Sequence, residues 1–327
     1  MRQAPAPELT EHPLALLRRS AAEVVRRARF VRIDDQRLER YAAELPSSEL
    51  GRSGTLELPA GADSAESRAA FVLTLNAVNF GSGYFPYLRK LPGCSGYRTL
   101  ETRLRQRFEQ AGELSSAELR EMDPGRCRRL FGQETASTEV SELMGLYARA
   151  WRDLGTLLET RFGGCFLALV EAARGRVERL VAMLLEMPLY RDVARYDELE
   201  VPFLKRAQLA ALDLDAALAG RSAAYPFGDL ERLTLCADNL VAHVLRMDGV
   251  LGYESGLGDR IERGEPLPAG SQEEVEIRAS EVEAVERIVA AVGGRITAAE
   301  LDGWLWRRGG APRYKARPRH RTRCPYY

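Results

Sequence analysis

Residues 138–164 read "TEVSELMGLYARAWRDLGTLLETRFGG". Leu143, Leu146, Tyr147, Ala150, Trp151, Leu154, Leu157 and Leu158 fall on one face at 3.6 residues per turn, so the stretch predicts a long amphipathic helix. Gly163 stops it, because glycine readily takes the left-handed cap conformation. Working outward, shorter helices are expected at 165–173 and 176–186, with Pro188 ending the second. Residues 201–219, 231–251, 272–292 and 297–306 read as four more. Ser271 with Glu274 and Thr297 with Glu300 have the spacing of capping boxes, and Gly293–Gly294 closes the third of these helices. "ALLRRSAAEVVRRARF" gives the first 45 residues a helical period. "TLELP", between "PSSELGRSG" and "PAGADS", reads as a surface loop or small hairpin. Strand alternation is otherwise nearly absent. The expected fold is mainly α: a compact helical bundle in one domain over 1–327. Within it, 1–136 form an N-terminal elaboration, and 137–327 form the helical core with a basic C-terminal stretch.

The 327 residues are 45% apolar and 29% charged, the balance of an ordinary globular protein. Net charge is zero, but residues 307–327 carry seven Arg and one Lys with no acid. A basic end on an acidic body points to an anion contact. Its last two residues, Tyr326 and Tyr327, suggest a docked segment. Five cysteines stand at 94, 127, 165, 236 and 324, and three histidines at 12, 243 and 320. None has zinc-ligand spacing, and unpaired cysteines suit a reducing cytoplasm. The N-terminus lacks the apolar segment of a signal peptide, and no stretch approaches the ~20 apolar residues of a membrane span. Neither metal, cofactor nor membrane is expected.

No Ser-His-Asp, P-loop, GxGxxG or HExxH pattern occurs. The candidate residues each have two readings. In "VPFLKRAQ", Lys205 and Arg206 either snorkel from a half-buried helix or aim charge at a phosphate. In "LTLCAD", Asp238 is either an acid placed for use or a helix N-cap. Glu274 and Arg278, spaced i,i+4, read as a surface ion pair. In "NFGSGYFPYLRK", Phe80, Tyr84, Phe85 and Tyr87 either stack on a base or pin a tight turn. Asp302, in "LDGWLW", reads by itself as a solvated acid on a capped helix, one turn before Trp306.

These segments together resemble the queuosine salvage proteins, a family of queuosine 5′-phosphate N-glycosylase/hydrolases. The resemblance rests on "NAVNF", "RFGGCFLALV", "YRDV", "VPFLKRAQ", "LTLCAD", "LGYESGL", "GSQEEVEIRA", "LDGWLW" and "HRTRCPYY", in the family's order with similar spacing. It is strong over 160–327 and weaker before. It implies a helical architecture like that of helix-rich DNA glycosylases. It also implies cleavage of the N-glycosidic bond of queuosine 5′-monophosphate, releasing the 7-deazaguanine base queuine for tRNA.

By the same resemblance, Asp302 maps to the catalytic acid and Asp238 to the acid that binds the base. Cys236, Lys205, Trp306, Arg278 and Phe80 complete the expected substrate-binding set, with Lys205, Arg206 or the C-terminal arginines as phosphate ligands. The partner is a small-molecule nucleotide, and direct tRNA binding is not expected. The chain departs from the family at Cys236, where an aromatic is usual, at Asn239-Leu240, where Tyr-Arg is usual, and at "GSGYFP". These departures keep open a different 7-deazapurine nucleotide. A non-catalytic protein that binds a modified nucleotide or tRNA is the reading from another class.

Overall fold

The computed structural model describes residues 12–46, 50, 56–135, 137–220 and 227–327. The helix Thr138–Phe162 forms as its pattern predicts. Ser137 caps its start and Gly163, at φ 59°, its end. Trp151 stacks on Phe131 at 5.6 Å, and its indole N–H donates to the Thr74 carbonyl at 2.9 Å. That bond joins the long helix to Ala65–Ala77, whose residues 69–77 are all buried. The second helix packs in turn against Lys205–Leu218 and Phe166–Ala172.

Two apolar cores result. One is built from Leu14 and residues between 65 and 233, the other from residues between 17 and 42, 196–203 and many of 235–314. The helix Gln272–Ala291 is the axis of the second core and lies along Pro13–Arg27. Fifteen α-helices and two small antiparallel sheets occur among the described residues, so the fold is mainly α. Val31–Ile33 pairs with Leu251–Tyr253, Val31 opposite Tyr253. Val193–Tyr196 pairs with Leu199–Pro202.

Several local expectations are corrected. Residues 231–251 are not one helix. Leu230–Arg232 is a 3-10 turn, 233–237 are non-helical, Asn239–Met247 is helical and Leu251–Tyr253 is a strand. The break is chemical: Gln208 accepts both the amide and the hydroxyl of Thr234, at 2.8 and 3.1 Å, tying that segment to the helix Lys205–Leu218. Of "TLELP", residues 56–59 are irregular, and Thr55 lies outside the described residues with most of "PSSELGRSG". The helices Gly96–Ala111, Pro124–Phe131 and Ser255–Glu262 were not among those expected, although Leu100, Leu104 and Phe108 give the first a buried apolar stripe. Only half of the box at Ser271 forms, since the Glu274 carboxylate accepts from Gly270 instead.

The C-terminal stretch docks. His320, Thr322, Cys324 and Tyr327 are buried. The Tyr327 main-chain oxygen accepts from the amides of Gly81 and Ser82 at 2.9 and 3.2 Å. Gly83 makes room for this: a Cβ there would lie 2.2 Å from the Thr322 carbonyl oxygen. Upstream, buried Asp248 binds Tyr41, Arg308, Arg313 and Tyr314 at 2.8–3.1 Å. The basic segment is thereby clamped at both ends, across the opening between the two cores.

Candidate active site

Asp302 sits on the helix Ala298–Arg308, whose start is fixed by the complete Thr297–Glu300 capping box. Leu301 and Leu305 enter the second core, and Trp304 meets Tyr41 edge-on at 6.3 Å. Asp302 is therefore turned to the next face, which is not solvent. It is 8% exposed, and its Oδ2 accepts the Cys236 amide at 3.3 Å. Burial raises its carboxyl to about 7, helped by the charge of Asp238. The Cys236 amide and Lys205 oppose the rise only in part. The solvated-acid reading of Asp302 is overturned.

The N-cap reading of Asp238 holds, and it uses only one carboxylate oxygen. Its Oδ1 accepts the amides of Leu240 and Val241, at 2.7 and 3.3 Å, as the N-cap of Asn239–Met247. Its Oδ2 is left to face Lys205 Nζ at 3.5 Å. Lys205 opens its helix after Leu204, which takes φ +55°, and its ammonium is buried beside the two acids. The Cys236 thiol is pushed well above its ordinary range by burial and then by Asp302, so it stays protonated. Glu281 carried no signal of its own in an acid-rich run. It is fully buried on Gln272–Ala291, and burial, then Asp238 and Asp302, hold its carboxyl far above the usual range.

Behind these groups stand two arginines. Arg278 is not a surface ion pair. It is 1% exposed, binds Asp192 through two bonds of 2.9 and 2.6 Å, and lies over the rings of Phe203 and Tyr327. Its third bond, 3.2 Å to the Ala237 carbonyl, holds the segment between Cys236 and Asp238. Arg206 is buried between Phe80 and Tyr190 and donates to the carbonyls of Ala77, at 2.6 Å, and Leu189. Neither arginine is among the residues lining the cavity in front.

That cavity has a volume of about 1080 Å³. Asp302, Asp238, Lys205, Cys236, Trp306 and Phe80 all line it, so six of the seven expected residues meet there and Arg278 supports them from behind. Trp306 stands edge-on to Tyr97 at 6.2 Å and walls one side. The Phe80 ring is engaged by Tyr147 at 5.0 Å and by Arg206, and reaches the cavity only at its margin. Of the other aromatics, Phe85 lines the cavity, whereas Tyr84 is buried against Glu142 and Tyr87 is exposed, so the four do not form a stacking box. The C-terminal segment contributes Lys315, Arg317, Arg319 and Arg321 to the opposite wall. Arg317 is paired with Glu262 at 2.9 Å, whereas no carboxylate among the described residues pairs with Arg319. No group of side chains among the described residues has the makings of a metal site. None of their helices is long and apolar enough to cross a membrane.

The sequence profile of the queuosine salvage proteins matches residues 59–327. A Sphaerobacter thermophilus protein named queuosine 5′-phosphate N-glycosylase/hydrolase is 36% identical over 273 residues, covering 81% of this chain and 83% of its own. A mouse protein of the same name is 29% identical over 340 residues, covering 95% and 98%. A Bos taurus protein of that name is 32% identical over 193 residues, covering 55% and 56%.

Proposed function

The chain belongs to the queuosine salvage protein family, and from that premise we infer its chemistry: it is an N-glycosidase that hydrolyses queuosine 5′-monophosphate and frees queuine for salvage into tRNA. The observation that carries this reading is the convergence of a buried carboxyl, Asp302, with the facing pair Lys205 and Asp238 in one nucleotide-sized cavity.

Cleavage of the C1′–N9 bond builds positive charge on the ribose, as in glycoside hydrolysis. Asp302 as a carboxylate, held against C1′, stabilises that charge more than it stabilises the neutral ground state. Water then adds to C1′ and gives a proton to Asp302. The C1′–N9 electron pair leaves with the base, which is reprotonated. The products are ribose 5-phosphate and queuine. A carboxyl raised to about 7 is a better base than an ordinary aspartate and is still substantially ionised at neutral pH.

The leaving base has carbon where guanine has N7, so departure cannot be helped by protonation there. Its negative charge spreads instead to O6. Asp238 Oδ2 accepts from N1–H at the guanine-like edge, and Lys205 beside it donates to O6, next to N1 on the same ring. One pair thus reads the edge and receives the charge. Trp306 flanks the base. Arg319, unpaired and facing the cavity, takes the 5′-phosphate. Incubation with a panel of nucleoside 5′-monophosphates, with the released bases identified by mass spectrometry, tests this. Nucleotides with a guanine-like N1–H and O6 edge should yield a base, and adenosine 5′-monophosphate should not. Equal release of adenine would contradict the assignment of Lys205 and Asp238.

A further inference from the structure

The helix Lys205–Leu218 presents more to the cavity than its first residue. Lys205, Leu209, Leu212 and Asp213, at i, i+4, i+7 and i+8, all line it, so one helix face forms a continuous wall. Asp213 lies eight residues from Lys205, about 12 Å along the axis. It is a carboxylate without a cation. Its Oδ2 accepts from the Asn76 amide at 2.9 Å, and among the described residues no Lys or Arg pairs with it. Neighbouring Glu101, in the same cavity, is already matched to Arg98 at 2.8 Å. Burial raises the Asp213 carboxyl to about 6, so it is still mostly ionised at neutral pH. A largely buried, unmatched negative charge in a cavity wall is costly unless something positive arrives.

The proposed substrate brings a positive group to that place. On the base, O6 and C7 share one edge. With O6 at Lys205, the C7 substituent extends along the same wall. In queuosine that substituent is an aminomethyl group bearing a cyclopentenediol, whose secondary amine is protonated at neutral pH. We propose that Asp213 is a specificity residue for this substituent, its carboxylate receiving the ammonium while Leu209, Leu212 and Tyr97 flank the cyclopentene ring. The proposal rests on the N-glycosidase reading above and adds to it a residue that selects substituted over plain 7-deazaguanine.

The test compares queuosine 5′-monophosphate with 7-deazaguanosine 5′-monophosphate, which has no C7 substituent, on wild type and Asp213→Asn. A charge-assisted hydrogen bond lost from a sheltered site predicts a roughly 10- to 100-fold fall in kcat/KM for the first substrate. The second should be unchanged, which also shows that the variant is folded. Asp213→Glu, keeping the charge, should recover part of the loss. Queuine and 7-deazaguanine as product inhibitors should show the same selective shift. Equal losses on both substrates, or no loss on either, overturn the proposal. Wild type cleaving neither nucleotide would instead remove the N-glycosidase reading and this proposal with it.

Discussion

Lys205 Nζ faces Asp238 Oδ2 at 3.5 Å across the cavity wall, while the other oxygen of Asp238 caps a helix. The capping bonds fix the carboxylate, and the longer separation from the ammonium leaves both groups able to engage a ligand edge. Lys205→Met keeps the length and apolar stem of the side chain but removes the donor to O6. Preorganised donors of this kind are worth about 10²- to 10³-fold. Steady-state kinetics should show that loss mainly in kcat, with circular dichroism unchanged. A loss confined to KM would place Lys205 on the phosphate instead.

The pH dependence follows from Asp302. Its carboxyl is raised to about 7, chiefly by burial, and the ionised form is the active one. kcat/KM should therefore fall as pH drops through about 7, approaching tenfold per pH unit below it. The second ionisation of the 5′-phosphate lies near ~6 and adds a further loss only at lower pH. A rate that rises on acidification from pH 8 to 6 would make Asp302 a proton donor.

The same shift has a consequence for stability. The folded protein holds the Asp302 proton up to about 7, whereas an unfolded aspartate releases it near 3.8. Between those values the native state binds more protons, so this group's favourable contribution is complete below about 4 and is lost as pH rises through 7. Asp302→Asn cannot ionise and retains an acceptor for the Cys236 amide. Urea denaturation should find the variant more stable than wild type by on the order of 1–3 kcal/mol at pH 8. The two should converge near pH 4.

Arg319 should discriminate by phosphate. Arg319→Ala is expected to raise KM for queuosine 5′-monophosphate by roughly tenfold or more, the scale of one charge-assisted contact. Turnover of the dephosphorylated nucleoside should be nearly unaffected. Rates for both substrates measured side by side decide it.

The fold was legible where periodicity and stops agreed. Residues 138–164 announced their helix through eight apolar positions and a glycine cap, and Thr297 with Glu300 marked the start of another. Legibility failed where tertiary bonds override local propensity. The break at 233–237 depends on Gln208, 26 residues from Thr234, and a local pattern cannot register that. The site divides in the same way. Asp238 carried its N-cap signal openly. The burial of Asp302, Glu281 and Arg278 comes from packing between distant segments; local spacing read Asp302 and Arg278 as surface charges and did not single out Glu281. For Asp302, only the family resemblance pointed to a role other than solvation. Arg278 shows the limit of resemblance: it drew attention to the residue, but geometry shows it bracing Ala237 from behind the cavity.

The central claim is that the carboxylate of Asp302 drives hydrolysis of the C1′–N9 bond. It is tested most directly by incubating wild type and Asp302→Asn with queuosine 5′-monophosphate and quantifying queuine and ribose 5-phosphate by liquid chromatography and mass spectrometry. Wild type should release the two in equal amounts, and the folded variant should release neither above background. Undiminished release by Asp302→Asn, or no release by folded wild type, would contradict the account.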